Sequence, residues 1–150
     1  MLTAAEIMSR PAFTLPEAST LETVALEMLG RRIGGIPIVD GQGKLSGIIT
    51  ESAFSASHAG VPFSTFRLPQ LFGEWLGPEV VESIYARARA MKADAVMERR
   101  VISVAEDTPI SEVLEKMLEH GIHRIPVVRQ GIPVGMIARH DLLKLLAKRL

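Results

Sequence analysis

The chain has 150 residues, 47% of them hydrophobic, with 17 basic and 17 acidic side chains and no cysteine. No apolar run approaches the roughly 18 residues needed to span a bilayer, and the first residues lack the basic-then-apolar order of a secretory signal, so no membrane association is expected. The missing thiols exclude disulfides and thiolate zinc sites and fit a cytoplasmic location, while zero net charge counts against a nucleic-acid binder.

In chain order, Ala5-Glu6-Ile7-Met8 predicts a short helical turn ending in Met, and Phe13-Thr14-Leu15 a short extended run. Leu21, Val24, Ala25, Met28, Leu29 and Ile33 follow helical spacing, with Ser19 and Glu22 placed as a capping box. Ile36-Pro37-Ile38-Val39 reads as a buried strand, Asp40 to Gly43 as a hairpin turn, and Leu45 to Ile49 as the return strand. A helix is expected to start near Thr50.

Residues 55–93 form an insert of different character. Six of the seven aromatics lie between Phe54 and Tyr85, namely those two with Phe63, Phe66, Phe72 and Trp75, a composition unlike a flexible spacer. Leu68 to Gly77 reads as a helical turn, and Pro78 opens a helix from Glu79 to Met91. The insert either packs on its own module or docks across chains through Phe72 and Trp75.

The pattern then returns. Asp94 is placed as N-cap of a turn ending at Met97, Ile102-Ser103-Val104 is extended, and Thr108-Pro109 opens a helix with Ile110, Val113, Leu114, Met117, Leu118 and Ile122 on one side. Ile125-Pro126-Val127-Val128 and Val134 to Ile137 read as strands around a turn at Arg129-Gln130-Gly131, and the last helix starts near Ala138. Residues 7–39 align without a gap onto residues 96–128 at an offset of 89, with ten identities, among them Met8/Met97, Met28/Met117, Leu29/Leu118 and Pro37/Pro126. A unit of about 50 residues is too small to bury a full core alone, so the copies are expected to pack on each other. The expected fold is α+β. Two β-α-β-β-α repeats, residues 1–54 and 94–150, are related by a pseudo-two-fold, with a partly helical insert over 55–93.

The short turn ending in Met, the strands Ile36-Pro37-Ile38-Val39 and Ile125-Pro126-Val127-Val128, and the Gly47-Ile48-Ile49 and Gly135-Met136-Ile137 runs together resemble the cystathionine-β-synthase (CBS) domain in its tandem form, the Bateman module. The resemblance covers about two thirds of the chain. It implies a regulatory sensor rather than an enzyme, binding AMP, ADP, ATP or S-adenosylmethionine between the repeats, requiring no cofactor, and forming a homodimer that acts on a partner protein the sequence does not name.

The same resemblance implies a Thr/Ser-x-x-Asp signal after each Gly-h-h strand. A helix start attracts phosphate, a hydroxyl adds a donor, and a carboxylate one turn on can accept ribose hydroxyls. Repeat one reads Thr50-Glu51-Ser52-Ala53 and repeat two Ala138-Arg139-His140-Asp141, so the signal is split. Asp141 is the candidate ribose ligand or, alternatively, a cap on a surface helix. Arg139, His140, His123, Arg124 and Arg100 are candidate phosphate groups, and Ala138, Ile125, Pro126, Gly35, Ile36 and Pro37 candidate cleft walls. Thr50 is a ligand candidate or an ordinary N-cap, and Glu51 would repel phosphate. Gly34 and Gly35 replace His123-Arg124, which admits a base edge or serves a turn. No histidine cluster of metal-site type and no catalytic constellation is legible. The competing expectation is a ligand-free scaffold for dimerisation or protein interaction.

Overall fold

The computed structural model describes residues 1–54 and 78–147. The expected turn at Leu68–Gly77, His58, Phe63, Phe66, Phe72 and Trp75 lie outside the described residues, as do Lys148, Arg149 and Leu150.

Each repeat forms a three-stranded sheet. β1 (Leu15–Pro16), β2 (Gly35–Val39) and β3 (Leu45–Thr50) lie in that order, β1 parallel to β2 and β3 antiparallel to it. β4 (Val104–Ala105), β5 (Arg124–Arg129) and β6 (Ile132–Ala138) repeat the arrangement, down to a register irregularity at Ile38/Val39 and again at Val127/Val128. Ile36, Ile38, Ile125 and Val127 fill the middle strands and are wholly buried, as suits branched side chains on a sheet covered on both faces. Pro37 and Pro126 are tolerated there because β1 and β4 pair only from Ile38 and Val127 onward, leaving no ladder donor to lose.

α2 (Leu21–Arg31) buries Leu21, Val24 and Met28, and α5 (Ile110–His120) buries Ile110, Val113 and Met117. Both end on a left-handed residue, Arg32 in one and Gly121 in the other, whose N–H closes the last turn. α3 (Pro78–Ala90) belongs to the insert and lies against α2, and α6 (Arg139–Ala147) closes repeat two. In repeat one the described residues end on a 3-10 turn, Glu51–Phe54, where a helix was expected to start.

Three expected caps are corrected. Thr20, not Ser19, caps α2 by accepting the Thr23 N–H, because the Ser19 carbonyl is taken by the Ala93 N–H of the other repeat. Pro109 stands at the N-cap of α5, so the helix starts one residue late, and the Thr108 hydroxyl instead accepts the Ala105 N–H. Asp94 lies inside the turn α4 (Ala93–Val96), with Lys92 at its cap. The expected apolar stripe is corrected too: Leu29 is 77% and Leu118 85% exposed, on the outer edges of α2 and α5.

The first turn of each repeat packs on the other repeat. α1 (Ala4–Ile7) and Met8 share a core with Val113, Ile125, Val127 and Ile137, whereas Ala93 and Met97 share one with Val24, Ile36, Ile38 and Ile49. Backbone bonds fix the exchange symmetrically. Ser9 and Met136 exchange two, at 2.8 and 3.0 Å, and Glu98 and Ile48 exchange two, at 2.9 and 3.0 Å. The glycines on the return strands are required by this contact: a Cβ on Gly47 would meet Met97 Cγ at 2.7 Å, and one on Gly135 would meet Met8 Cγ at 2.8 Å. Each core is therefore built from both repeats.

Candidate functional site

β3 ends at Thr50, β5 begins at Arg124, and the chain after α4 runs through Glu98 to Ile102. These three segments meet around a cleft of about 480 Å³. Its apolar wall is Val101, Ile102, Ile122 and Pro126, and its polar groups are Thr50, Ser52, Arg100, His123 and Arg124, with Glu51 and Glu98 at hand. The Thr50 and Ser52 hydroxyls lie 2.7 Å apart, and Glu98 accepts the Arg100 N–H at 3.0 Å.

Arg124 dominates the electrostatics. Its stem crosses to the other repeat and lies on Gly34 and Gly35, where a Cβ on Gly35 would meet Arg124 Cδ at 2.6 Å. The glycine pair thus makes room for the arginine of the other copy, a role that is neither of the two expected, a base edge or a turn. Burial pushes the Arg124 guanidinium below the usual arginine range, Glu51 partly offsets this, and Arg139 adds to it. Among the described residues Arg124 makes no ion pair and no side-chain hydrogen bond. Arg124 is thus a half-buried cation outside any ion pair among the described residues, set beside the Thr50 hydroxyl and the Glu51 carboxylate.

Of the sequence candidates, the cleft brings together Thr50, Arg100, His123, Arg124 and Pro126. Gly35, Ile36, Pro37 and Ile125 are buried in the strands that support it. Arg139, exposed at the start of α6, contacts His123 Nε2 at 3.2 Å, and His140 is exposed beside it. Asp141 is elsewhere. It is 4% exposed and lines none of the described cavities. One of its oxygens accepts the Ala138 N–H at 2.8 Å, and the other accepts the Ser9 hydroxyl at 2.7 Å and pairs with Lys144 at 2.8 Å. Ser9, Ser52, Glu98 and Lys144 escaped sequence reasoning. Only Lys144 carried a local signal, three residues after Asp141 on one helix face.

A larger groove of about 620 Å³ runs between α2 and α3, walled by Leu21, Ala25, Met28, Leu29, Ile33 and Phe54, with Glu22, Arg32, Glu51 and Arg89 also lining it. It offers shape without convergent donors. Among the described residues no cluster of His, Asp or Glu could hold a metal ion, and no helix is long and apolar enough to cross a membrane.

The architecture has counterparts. The family profile described as CBS domain matches residues 4–56 and 93–148. The CBS domain of a CBS domain-containing membrane protein from Sphaerobacter thermophilus is 38% identical, with a TM-score of 0.75, over 97% of this chain and 88% of that one. The CBS domain pair of protein MJ0100, solved with 5′-methylthioadenosine and S-adenosyl-L-methionine, shares the fold at 23% identity and a TM-score of 0.71, over 100% and 99% of the two chains. CBSX2 in complex with AMP shares it at 15% identity and a TM-score of 0.73, over 99% of each. With two profile matches in tandem, two sheets of one topology and these counterparts, the chain belongs to the CBS domain family as a tandem pair of repeats.

Proposed function

We propose that this CBS pair is a regulatory module that binds an adenosine phosphate in the cleft between Thr50 and Arg124. The carrying observation is Arg124, a half-buried guanidinium with unused donors. A phosphate would take its fork, with the Thr50 hydroxyl and Arg100 as further donors, while Ile102, Ile122 and Pro126 offer an apolar seat for the base. Adenosine compounds bound to MJ0100 and CBSX2 support the nucleoside part of the assignment. Glu51 and Glu98 balance the charge of Arg100 and Arg124 across the lining, so it is the planar fork of Arg124, and not net charge, that favours a phosphorylated ligand over a sulfonium such as S-adenosylmethionine. The module acts by binding, shifting an equilibrium of its own shape or association by the ligand's differential affinity for the two states.

The test is a titration with AMP, ADP, ATP and S-adenosylmethionine while melting is followed. At a hundred times Kd the ligand should stabilise the fold by about 2.7 kcal/mol. The phosphates should raise the melting temperature more than S-adenosylmethionine does. No shift with any of them at millimolar concentration would reject the assignment and leave the ligand-free scaffold.

The output surface is proposed to be a homodimer face on α2 and α5. Leu26, Leu29 and Leu118 are 62%, 77% and 85% exposed, and the duplication puts Leu29 and Leu118 at equivalent positions. Exposed leucines repeated in this way mark a surface meant to be covered. Leu29→Glu combined with Leu118→Glu should convert a dimer to monomer in sedimentation velocity. An unchanged sedimentation coefficient would place the dimer face elsewhere.

A further inference from the structure

The two halves carry one backbone around different side chains. Ser9 and Glu98 are equivalent and make the same pair of backbone bonds to the return strand of the other repeat. Asp141 and Ala53 are equivalent at the start of the closing helix and the 3-10 turn. In repeat one, Glu98 and Ala53 both line the open cleft. In repeat two, the equivalent residues bind each other. The Ser9 hydroxyl donates to Asp141 at 2.7 Å, Lys144 pairs with the same carboxylate oxygen at 2.8 Å, and Lys144 Nζ also donates to the Ile7 carbonyl at 2.8 Å. The Ala138 N–H takes the remaining oxygen.

A carboxylate that is 4% exposed needs several donors, and this one has three. All three come from the chain, and two of them, Ser9 and Lys144, tie the exchanged N-terminal turn to α6. Ser9 stands 132 residues from Asp141, so the contact exists only because the turns are exchanged. We infer that Ser9, Asp141 and Lys144 form an internal substitute for ligand, closing the second cleft so that each chain binds one nucleotide, and locking the N-terminal turn onto α6. The lock is a property of the fold; the count of one nucleotide per chain rests on the function proposed above.

Ser9→Ala tests both parts. Amide exchange without nucleotide should accelerate about tenfold at residues 4–9, the factor expected for losing one hydrogen bond to a charged group, while the equivalent residues 93–98 stay unchanged. Lys144→Met should give the same pattern. Calorimetric titration with AMP should show one site per chain in the wild type and two in Ser9→Ala. Unchanged exchange in both variants overturns the lock. Two sites in the wild type, or one site in Ser9→Ala, overturns the substitute. Faster exchange with no AMP binding to any form would reject the nucleotide assignment and keep the lock.

Discussion

Arg124→Ala should weaken AMP binding by about 10- to 100-fold, the range expected from losing hydrogen bonds between a charged donor and a phosphate. The free protein should melt close to the wild type. Arg124 is half-buried and makes no ion pair among the described residues, so its removal relieves a desolvation cost that offsets the lost attraction to Glu51 and the lost packing of its stem on Gly34 and Gly35. Arg124→Lys should recover only part of the affinity, because an ammonium supplies charge without the planar fork. Adenosine, which lacks phosphate, should bind wild type and Arg124→Ala alike. Isothermal titration with AMP and adenosine checks all of this. Equal AMP affinity in wild type and Arg124→Ala would remove Arg124 from the site.

Ile7→Ala should cost about 2–5 kcal/mol of stability, the range for emptying a fully buried isoleucine. Such a loss is a large share of the 5–15 kcal/mol typical of a domain. Ile7 is wholly buried in the core containing Val113, Ile125 and Ile137, although its own strands belong to the other repeat. Urea unfolding should therefore shift to lower denaturant as one transition, with both repeats melting together. Unfolding in two steps, with repeat one more stable, would show that the exchanged turns do not couple the halves.

Much of this fold was legible because it is written locally. The stripe Leu21, Val24, Met28 and its counterpart Ile110, Val113, Met117 mark two helices by spacing alone, and the Ile-Pro strands are short apolar runs bounded by turn residues. The stripe overreached at Leu29 and Leu118. Periodicity gives an apolar face but not its edge, and the neighbours that would cover that edge are not in the described chain. The caps slipped for another reason. Ser19 has the right chemistry for an N-cap, but its carbonyl serves a bond to Ala93 of the other repeat, and the cap falls on the next residue, Thr20.

The site was legible in its parts and not in its grouping. Thr50, Arg100, His123 and Arg124 were candidates in separate clefts, and the structure gathers them into one. Asp141 drew attention as the surviving carboxylate of a split motif, yet its partners Ser9 and Lys144 could not be paired with it from sequence, since one of them lies 132 positions away.

The sequence by itself determined the duplication, the order of helices and strands in each copy, and the residue types available to a binding site. Those follow from periodicity, turn chemistry and internal alignment, which depend on near neighbours in the chain. Only the tertiary structure decided that the first turns are exchanged, that Arg124 lies over Gly34 and Gly35, and that Asp141 is held by Ser9 and Lys144. Each of those outcomes is a contact between distant segments. Such contacts form only after two cores, each borrowing a turn from the other, have closed.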